Sequence, residues 1–184
     1  MKICLDPGHG MANRQQGVYD TGAVAAGYTE AAIVMDWANE LRALLMAAGH
    51  TVVRTRVDHK DPAPIGKRAG IARTFGCEVL LSLHCNSANG RASGTETFYR
   101  GAHRKAEAVR LNQAVVTALG TRDRGAKTEG KSQHGRLAVL SFPRAFLIEI
   151  GFLDNPAERE LMLDPARRRA ACVALAKVLT SPDP

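Results

Sequence analysis

The sequence switches repeatedly between two hydrophobic periods, from short extended runs to longer stretches with apolar residues every three or four positions, and few folds accommodate that. Lys2 to Leu5 is a short strand ending at Asp6-Pro7-Gly8-His9-Gly10, where proline and glycines let the chain turn tightly. From Thr29 to Ala48, Val34, Trp37, Ala38, Leu41, Leu45 and Ala48 recur at helical steps, and Gly49 closes the helix. Thr51 to Thr55 predicts a second strand, Ile65 to Phe75 a second helix stopped by Gly76, and Glu78 to Leu83 a third strand with His84 at its exit. Gly94 to Tyr99 has the β-branched and aromatic content of a strand. A helix from Arg104 to Leu119 follows, with its stripe at Ala108, Leu111, Val115 and Leu119. The polar, glycine-bearing stretch Gly120 to Gly135 predicts a loop, and Leu137 to Leu140 and Ala145 to Ile150 the last strands. Asn155-Pro156, with Glu158 as a capping-box partner, and Asp164-Pro165 mark two further helix starts. This alternation predicts an α/β single domain with a largely parallel twisted sheet of about six strands flanked by helices. In such sheets ligands bind beyond the carboxyl ends of the strands.

The 184 residues, of which 45% are hydrophobic, suffice for one core, so residues 1–180 are expected to form one domain and 181–184 a frayed tail. No apolar run reaches the length of a membrane span, and Met1-Lys2 leads directly into the first strand. On that reading the chain is made in the cytoplasm without a visible signal peptide. Twenty-five Lys and Arg against eighteen Asp and Glu give a net charge of +7, which favours an anionic partner. Nucleic acid is one such partner, but no recognition motif supports it. The basic residues Arg122, Arg124, Lys127, Lys131 and Arg136, and the run Arg167-Arg168-Arg169, read as solvated faces. Cys4, Cys77, Cys85 and Cys172 have no C-x-x-C spacing and read as buried thiols.

Two histidines at the exits of neighbouring strands, His9 and His84, are the chemically suggestive pair. A catalytic zinc site needs about three protein ligands from imidazole nitrogen or carboxylate oxygen and one open position. With no H-E-x-x-H pair, any such site must be assembled by the fold from distant segments. Asp6, Asp20, Glu30 and Asp36 all qualify as a third ligand, and the position of Glu30 at a helix start is equally explained by the helix dipole. Glu149 interrupts the apolar run Phe146-Leu147-Ile148-Glu149-Ile150, so it is either satisfied by a partner or tuned for proton transfer. Cys85, adjacent to His84 on an extended segment, points the opposite way and is not expected to join the same metal.

Six segments together resemble the zinc-dependent N-acetylmuramoyl-L-alanine amidases of the Amidase_3 type. They are Leu5-Asp6-Pro7-Gly8-His9-Gly10, Asp20-Thr21-Gly22-Ala23, Thr29-Glu30, Thr55-Arg56-Val57-Asp58, Ser82-Leu83-His84-Cys85-Asn86, and Leu147 through Pro156. The resemblance implies that His9, Glu30 and His84 bind zinc and that Glu149 is the catalytic glutamate, acting as general base and then acid on zinc-activated water. It implies a substrate, peptidoglycan, cut at the amide between N-acetylmuramic acid and the L-alanine of the stem peptide. Asn86 is expected to help position substrate or the loop. Two departures stand out: residues Met11 to Tyr19 lengthen the loop after Gly-His-Gly and are expected to border the groove, and Ala72-Arg73 replaces a usual Ala-Asn, a change expected to concern packing. The stretch Arg100 to Arg136 leaves no room for the blocking insertion of the periplasmic division amidases. The chain therefore looks like the catalytic domain of a phage endolysin or the trimmed catalytic part of a bacterial enzyme, expected to be monomeric and to act on the cell wall.

Overall fold

The computed structural model describes residues 1–181. Six strands form one sheet: β1 (Lys2–Pro7), β2 (Thr51–Arg54), β3 (Val79–Asn86), β4 (Thr95–Tyr99), β5 (Asp123–Thr128) and β6 (Ala145–Phe152). Five helices accompany them: α1 (Glu30–Ala47), α2 (Arg68–Thr74), α3 (Lys105–Leu119), α4 (Pro156–Leu163) and α5 (Pro165–Thr180). The spatial order is β2-β1-β3-β6-β4-β5. β2, β1, β3 and β6 run parallel, β4 is antiparallel to β6, and β5 is parallel to β4. The mostly parallel α/β sheet expected from the alternating periods is therefore present.

Strand parity divides the side chains between two layers. Ile3, Leu5, Leu81, Leu83, Phe146, Ile148 and Ile150 join the large core with Trp37 and Leu41 of α1, Leu111 and Val115 of α3, and Cys172 and Leu175 of α5. The opposite face carries Cys4, Leu80, Phe98, Ala145 and Leu147, packed with Ala69 and Ala72 of α2 and with Val139, Leu140 and Phe142. Farther along the same strands, this second face turns polar, at Asp6, Ser82, His84, Glu96 and Glu149. The functional residues continue a buried surface rather than decorate an exposed one.

The structure corrects four expectations. Gly120 to Gly135 is not all loop, because Asp123–Thr128 forms β5 as a charged edge strand beside β4. Leu137 to Leu140 is not a strand; Ala138–Ser141 makes a 3-10 turn that buries Val139 and Leu140 against the second face. Glu158 does not close a capping box. Asn155 caps α4 by accepting from the Ala157 and Glu158 amides, while the Glu158 carboxylate accepts from Gly94 N at 2.6 Å and Phe152 N at 2.7 Å, tying the start of β4 to the end of β6. The second helix also starts late, at Arg68, because the Ile65 amide bonds Asn13 O and Pro64 and Gly66 interrupt the turn.

All four cysteines are free and buried. The exposed Arg73 guanidinium of the departing Ala72-Arg73 pair donates to Ser141 O, tying α2 to the 3-10 turn Ala138–Ser141. Arg144, just before β6, donates to Leu179 O at 3.4 Å, and the Met1 amino group meets His50 Nδ1 at 3.3 Å. Both ends of the described chain thus lie along the edge where the parallel strands begin. Residues 182–184 of the expected tail lie outside the described residues. Among the described residues no helix is long and apolar enough to cross a membrane.

Candidate metal centre and groove

At the other edge, where β1, β3 and β6 end, a groove of about 660 Å³ collects His9, Glu30, His84, Asn86 and Glu149. Each arrives by a different route. His9 follows β1 in a left-handed conformation, φ 62°, an uncommon geometry for a non-glycine residue that aims its ring inward. Glu30 opens α1 directly after its cap, Thr29, whose hydroxyl accepts from Ala32 N at 3.3 Å. His84 lies near the end of β3, cross-strand from Glu149 on β6. Glu149 lies in turn opposite Glu96 on β4.

Glu30 Oε1 lies 2.9 Å from both His9 Nε2 and His84 Nδ1, and it also accepts from the Cys85 amide at 2.9 Å. The ligand atoms of the three side chains all fall within 4.8 Å of one another. Burial works against a charged Glu30, but hydrogen bonds from His84 and His9 prevail and hold its carboxyl well below the usual range. Burial likewise opposes a charged His9, and Glu30 and Asp20 overcome it, raising its pKa.

Two features fit this trio to a zinc ion. Its donor set is two imidazoles and a carboxylate, the composition of a three-ligand catalytic site. The far nitrogen of His9, Nδ1, meets Asp20 Oδ2 at 3.1 Å, the carboxylate–histidine pairing that fixes the tautomer and leaves Nε2 free to ligate. Asp20 is itself held by Asn13 Nδ2 at 2.6 Å and Gly22 N at 2.9 Å. Burial raises its pKa, but the bonds from Asn13, Gly22 and His9 outweigh that and bring it to about 2. Gly22 lines the cradle so closely that a Cβ there would stand 2.5 Å from Glu30 Oε2 and 2.7 Å from His9 Cδ2.

Two buried arginines brace the loop that carries His9. Arg56, 1% exposed, donates to Pro7 O (2.9 Å), Gly8 O (2.9 Å) and Ala31 O (2.8 Å), joining the His9 loop to the first turn of α1. Arg68 pairs with Asp6 at 2.5 Å and donates to His9 O at 2.6 Å and to Asn13 Oδ1 at 3.0 Å. Asp6 also accepts from Thr55 and Ser82 hydroxyls.

Glu149 stands beside the trio without joining it. Its Oε2 is shut off from solvent with no hydrogen-bond partner among the described residues. Burial pushes its pKa well above the ordinary carboxylate value, and the neighbouring carboxylates of Glu30 and Glu96 push it further.

The family model for Amidase_3, N-acetylmuramoyl-L-alanine amidase, matches residues 3–181. The chain belongs to this family. An uncharacterized cell wall amidase of Bacillus anthracis is 31% identical over 94% of this chain and 34% of its own length. The N-acetylmuramoyl-L-alanine amidase LytC of Bacillus subtilis is 27% identical, again over 94% of this chain and 34% of its own. The chain thus spans about a third of the length of these curated relatives. Among solved structures, the catalytic domain of the amidase CwlV from Bacillus (Paenibacillus) polymyxa var. colistinus superposes with a TM-score of 0.84 at 26% identity, covering 97% of this chain and 96% of that one. The catalytic domain of the endolysin CD27L, at 24% identity and a TM-score of 0.76, shares the fold.

Of the residues expected from the sequence, His9, Glu30, His84, Glu149 and Asn86 all line this groove, and Asn13 and Arg14 of the lengthened loop border it. Cys85 points away, into the large core, as strand parity requires. The expectation of a merely solvated basic stretch needs correction: Arg124, Lys127, Lys131 and Arg136 all line the groove. Glu96 was not anticipated either. It breaks the run Thr95-Glu96-Thr97-Phe98-Tyr99 much as Glu149 breaks its own strand, a signal that was there to be read.

Proposed function

We propose that this Amidase_3 domain hydrolyses the amide between the lactyl group of N-acetylmuramic acid and the L-alanine of the peptidoglycan stem peptide. In this reading it holds a zinc ion with His9, Glu30 and His84 and uses Glu149 as proton carrier. The observation carrying the proposal is the convergence, in one groove, of a two-histidine, one-carboxylate trio with a second, unpartnered carboxylate on the adjoining strand. Zinc in such a setting polarises a carbonyl and lowers the pKa of a water toward neutrality.

The protein's own residues divide the remaining work. His9 and His84 present neutral nitrogens, and Asp20 keeps the His9 proton on Nδ1. Glu149, raised in pKa by burial and like charge, accepts a proton from the attacking water at its free oxygen and returns it to the departing alanine nitrogen. Asn86, whose Nδ2 is held by Glu96 Oε1 at 2.8 Å, keeps its carbonyl oxygen available to orient a substrate amide. The groove is open to a polymer strand along the sheet edge, which fits action at the cell wall.

Purified peptidoglycan incubated with the zinc-loaded protein should yield new L-alanine amino groups without new reducing sugars or freed D-alanine. Chelation should abolish the release, and Glu149→Gln should lower it by about 10²-fold or more while zinc stays bound. Turnover unchanged in Glu149→Gln would refute the assigned proton carrier, and freed D-alanine would make the enzyme a carboxypeptidase instead.

A further inference from the structure

The groove is electrically lopsided. On the metal side acids outnumber cations: Arg68 pairs with Asp6 and Arg14 lies 3.5 Å from Asp20, while Glu30 and Glu149 add two further carboxylates. The far wall, built from β4, β5 and the segment after β5, brings Arg124, Lys127, Lys131 and Arg136 to the groove against one carboxylate, Glu96; four cations against one acid leave three positive charges in excess.

This wall owes its shape to a strand irregularity. Between Thr95 and Glu96 the β4–β5 register shifts, so that Thr95 pairs with Asp123 but Glu96 with Gly125, leaving Arg124 as the extra residue. Residues three apart on a regular strand point to opposite faces. Here Arg124 Nε (3.0 Å) and Lys127 Nζ (2.5 Å) nevertheless meet the same atom, Glu96 Oε2. Gly125, at φ 83°, makes the bulge that brings them together. Bulges of this kind re-aim side chains beside functional sites. Glu96 does not exhaust the pair. The Lys127 ammonium makes one of its three available bonds among the described residues, and Arg124 adds only Ser93 O and the face of Phe152; both side chains remain 30% exposed.

The distance from the chemistry is defined by the sheet. Strand neighbours lie about 4.8 Å apart, so β5 stands two spacings, roughly 10 Å, from Glu149 on β6. An extended peptide advances about 3.3–3.6 Å per residue, so a side group one residue beyond the alanine at the scissile amide comes within reach of long side chains from β5. Phe98, Leu147 and Val139 floor the space between. The excess charge calls for an anion there. Glu96, in the middle of the cluster, disfavours a dianionic phosphate and leaves room for a singly charged carboxylate.

We propose that Arg124 and Lys127, assisted by Lys131 and Arg136, form a subsite that binds a free carboxylate on the stem residue following L-alanine, so that the enzyme prefers stems carrying that acid over stems in which it is amidated. The proposal rests on the amidase reading above.

The test uses two MurNAc-tripeptides that differ only in whether the carboxylate of the second stem residue is free or amidated. With zinc-loaded wild-type protein, kcat/KM should favour the free acid about tenfold or more, as expected for hydrogen bonds to a charged group. Lys127→Gln, which keeps a donor for Glu96, should bring that ratio toward one, as should the exposed-site variant Arg136→Gln to a lesser degree; Lys127→Arg should restore it. The same pair is titrated calorimetrically into zinc-loaded Glu149→Gln protein, where the free acid should bind about tenfold more tightly. A ratio near one in wild type, or a ratio unmoved in Lys127→Gln, would overturn the subsite and leave these cations as mere partners of Glu96. If neither compound is cleaved but the free acid binds preferentially, the amidase reading fails while the subsite stands.

Discussion

Arg56→Ala should expose how much of the metal centre depends on a residue that touches no ligand. The guanidinium is 1% exposed and satisfies three buried carbonyls, those of Pro7, Gly8 and Ala31, at 2.8–2.9 Å. Pro7 O keeps a second donor in Arg68 Nη1 at 3.1 Å and Ala31 O is a carbonyl of the α1 ladder, so Gly8 O is the acceptor left bare, at about 1–3 kcal/mol. Water entering the space left by the side chain favours the lower end, and with the packing of the buried stem lost as well the total is about 2 kcal/mol. Against the 5–15 kcal/mol of a typical domain that loss is severe without being fatal. For a chain of this length it corresponds to a Tm lower by roughly 4–8 °C. The consequence for function is separate, since Arg56 joins the His9 loop to the turn that carries Glu30. Without it these two ligands lose their common brace, and zinc should bind about 10–100-fold more weakly, the usual range for outer partners of a metal site. Urea unfolding of the metal-free protein measures the first effect and chelator competition the second. A stability loss below about 1 kcal/mol, or a full loss with unchanged zinc affinity, would refute the bracing role.

Three further outcomes follow from the same geometry. Asp20→Asn removes the charge and one of the two oxygens that between them accept from His9, Asn13 and Gly22, and should weaken zinc about 10–100-fold in chelator competition; equal affinity would show that the His9 tautomer is set elsewhere. Gly22→Ala places a methyl 2.5 Å from Glu30 Oε2 at a backbone φ of 65°, so its metal content after dialysis against zinc should fall close to nil, and a stoichiometric value would mean the cradle is looser than described. Asp6→Asn strands the buried Arg68 charge and should cost about 3–5 kcal/mol near neutral pH. Burial raises the Asp6 pKa, but Arg68, Ser82 and Thr55 more than reverse this, so its folded-state value lies below the ordinary 3.8. Its contribution is therefore complete above pH 3.8 and lost as pH falls through the folded value; the stability gap between wild type and Asp6→Asn should narrow on acidification and widen nowhere above pH 5.

The parts of this architecture legible in the sequence were those in which one local rule dominated. His9 and His84 follow strands that end abruptly, and Glu149 stands out because a charge in an apolar run demands a reason. Glu30 gave no such sign, since an acid at a helix start is favoured by the dipole alone; only the likeness to a family singled it out, and the fold places it between the two imidazoles. β5 was illegible because Asp-Arg-Gly-Ala-Lys-Thr has almost none of the β-branched or aromatic content that marks a strand, and its extended form comes from pairing with β4. The reverse error, at Leu137 to Leu140, has the same root: apolar residues need burial, and a 3-10 turn against the second face supplies it as well as a strand would. The basic wall required three-dimensional information twice over, once for the edge strand and once for the bulge that turns Arg124 toward Lys127.

The meeting of Met1 with His50 and of Arg144 with Leu179 has an architectural corollary. Because both ends of the described chain lie on the underside, away from the cleft, a passenger module spliced to either extremity would hang clear of its mouth. A unit wired in that manner is readily exchanged between larger assemblies, since its neighbours in the chain need not be reshaped to keep the mouth unobstructed.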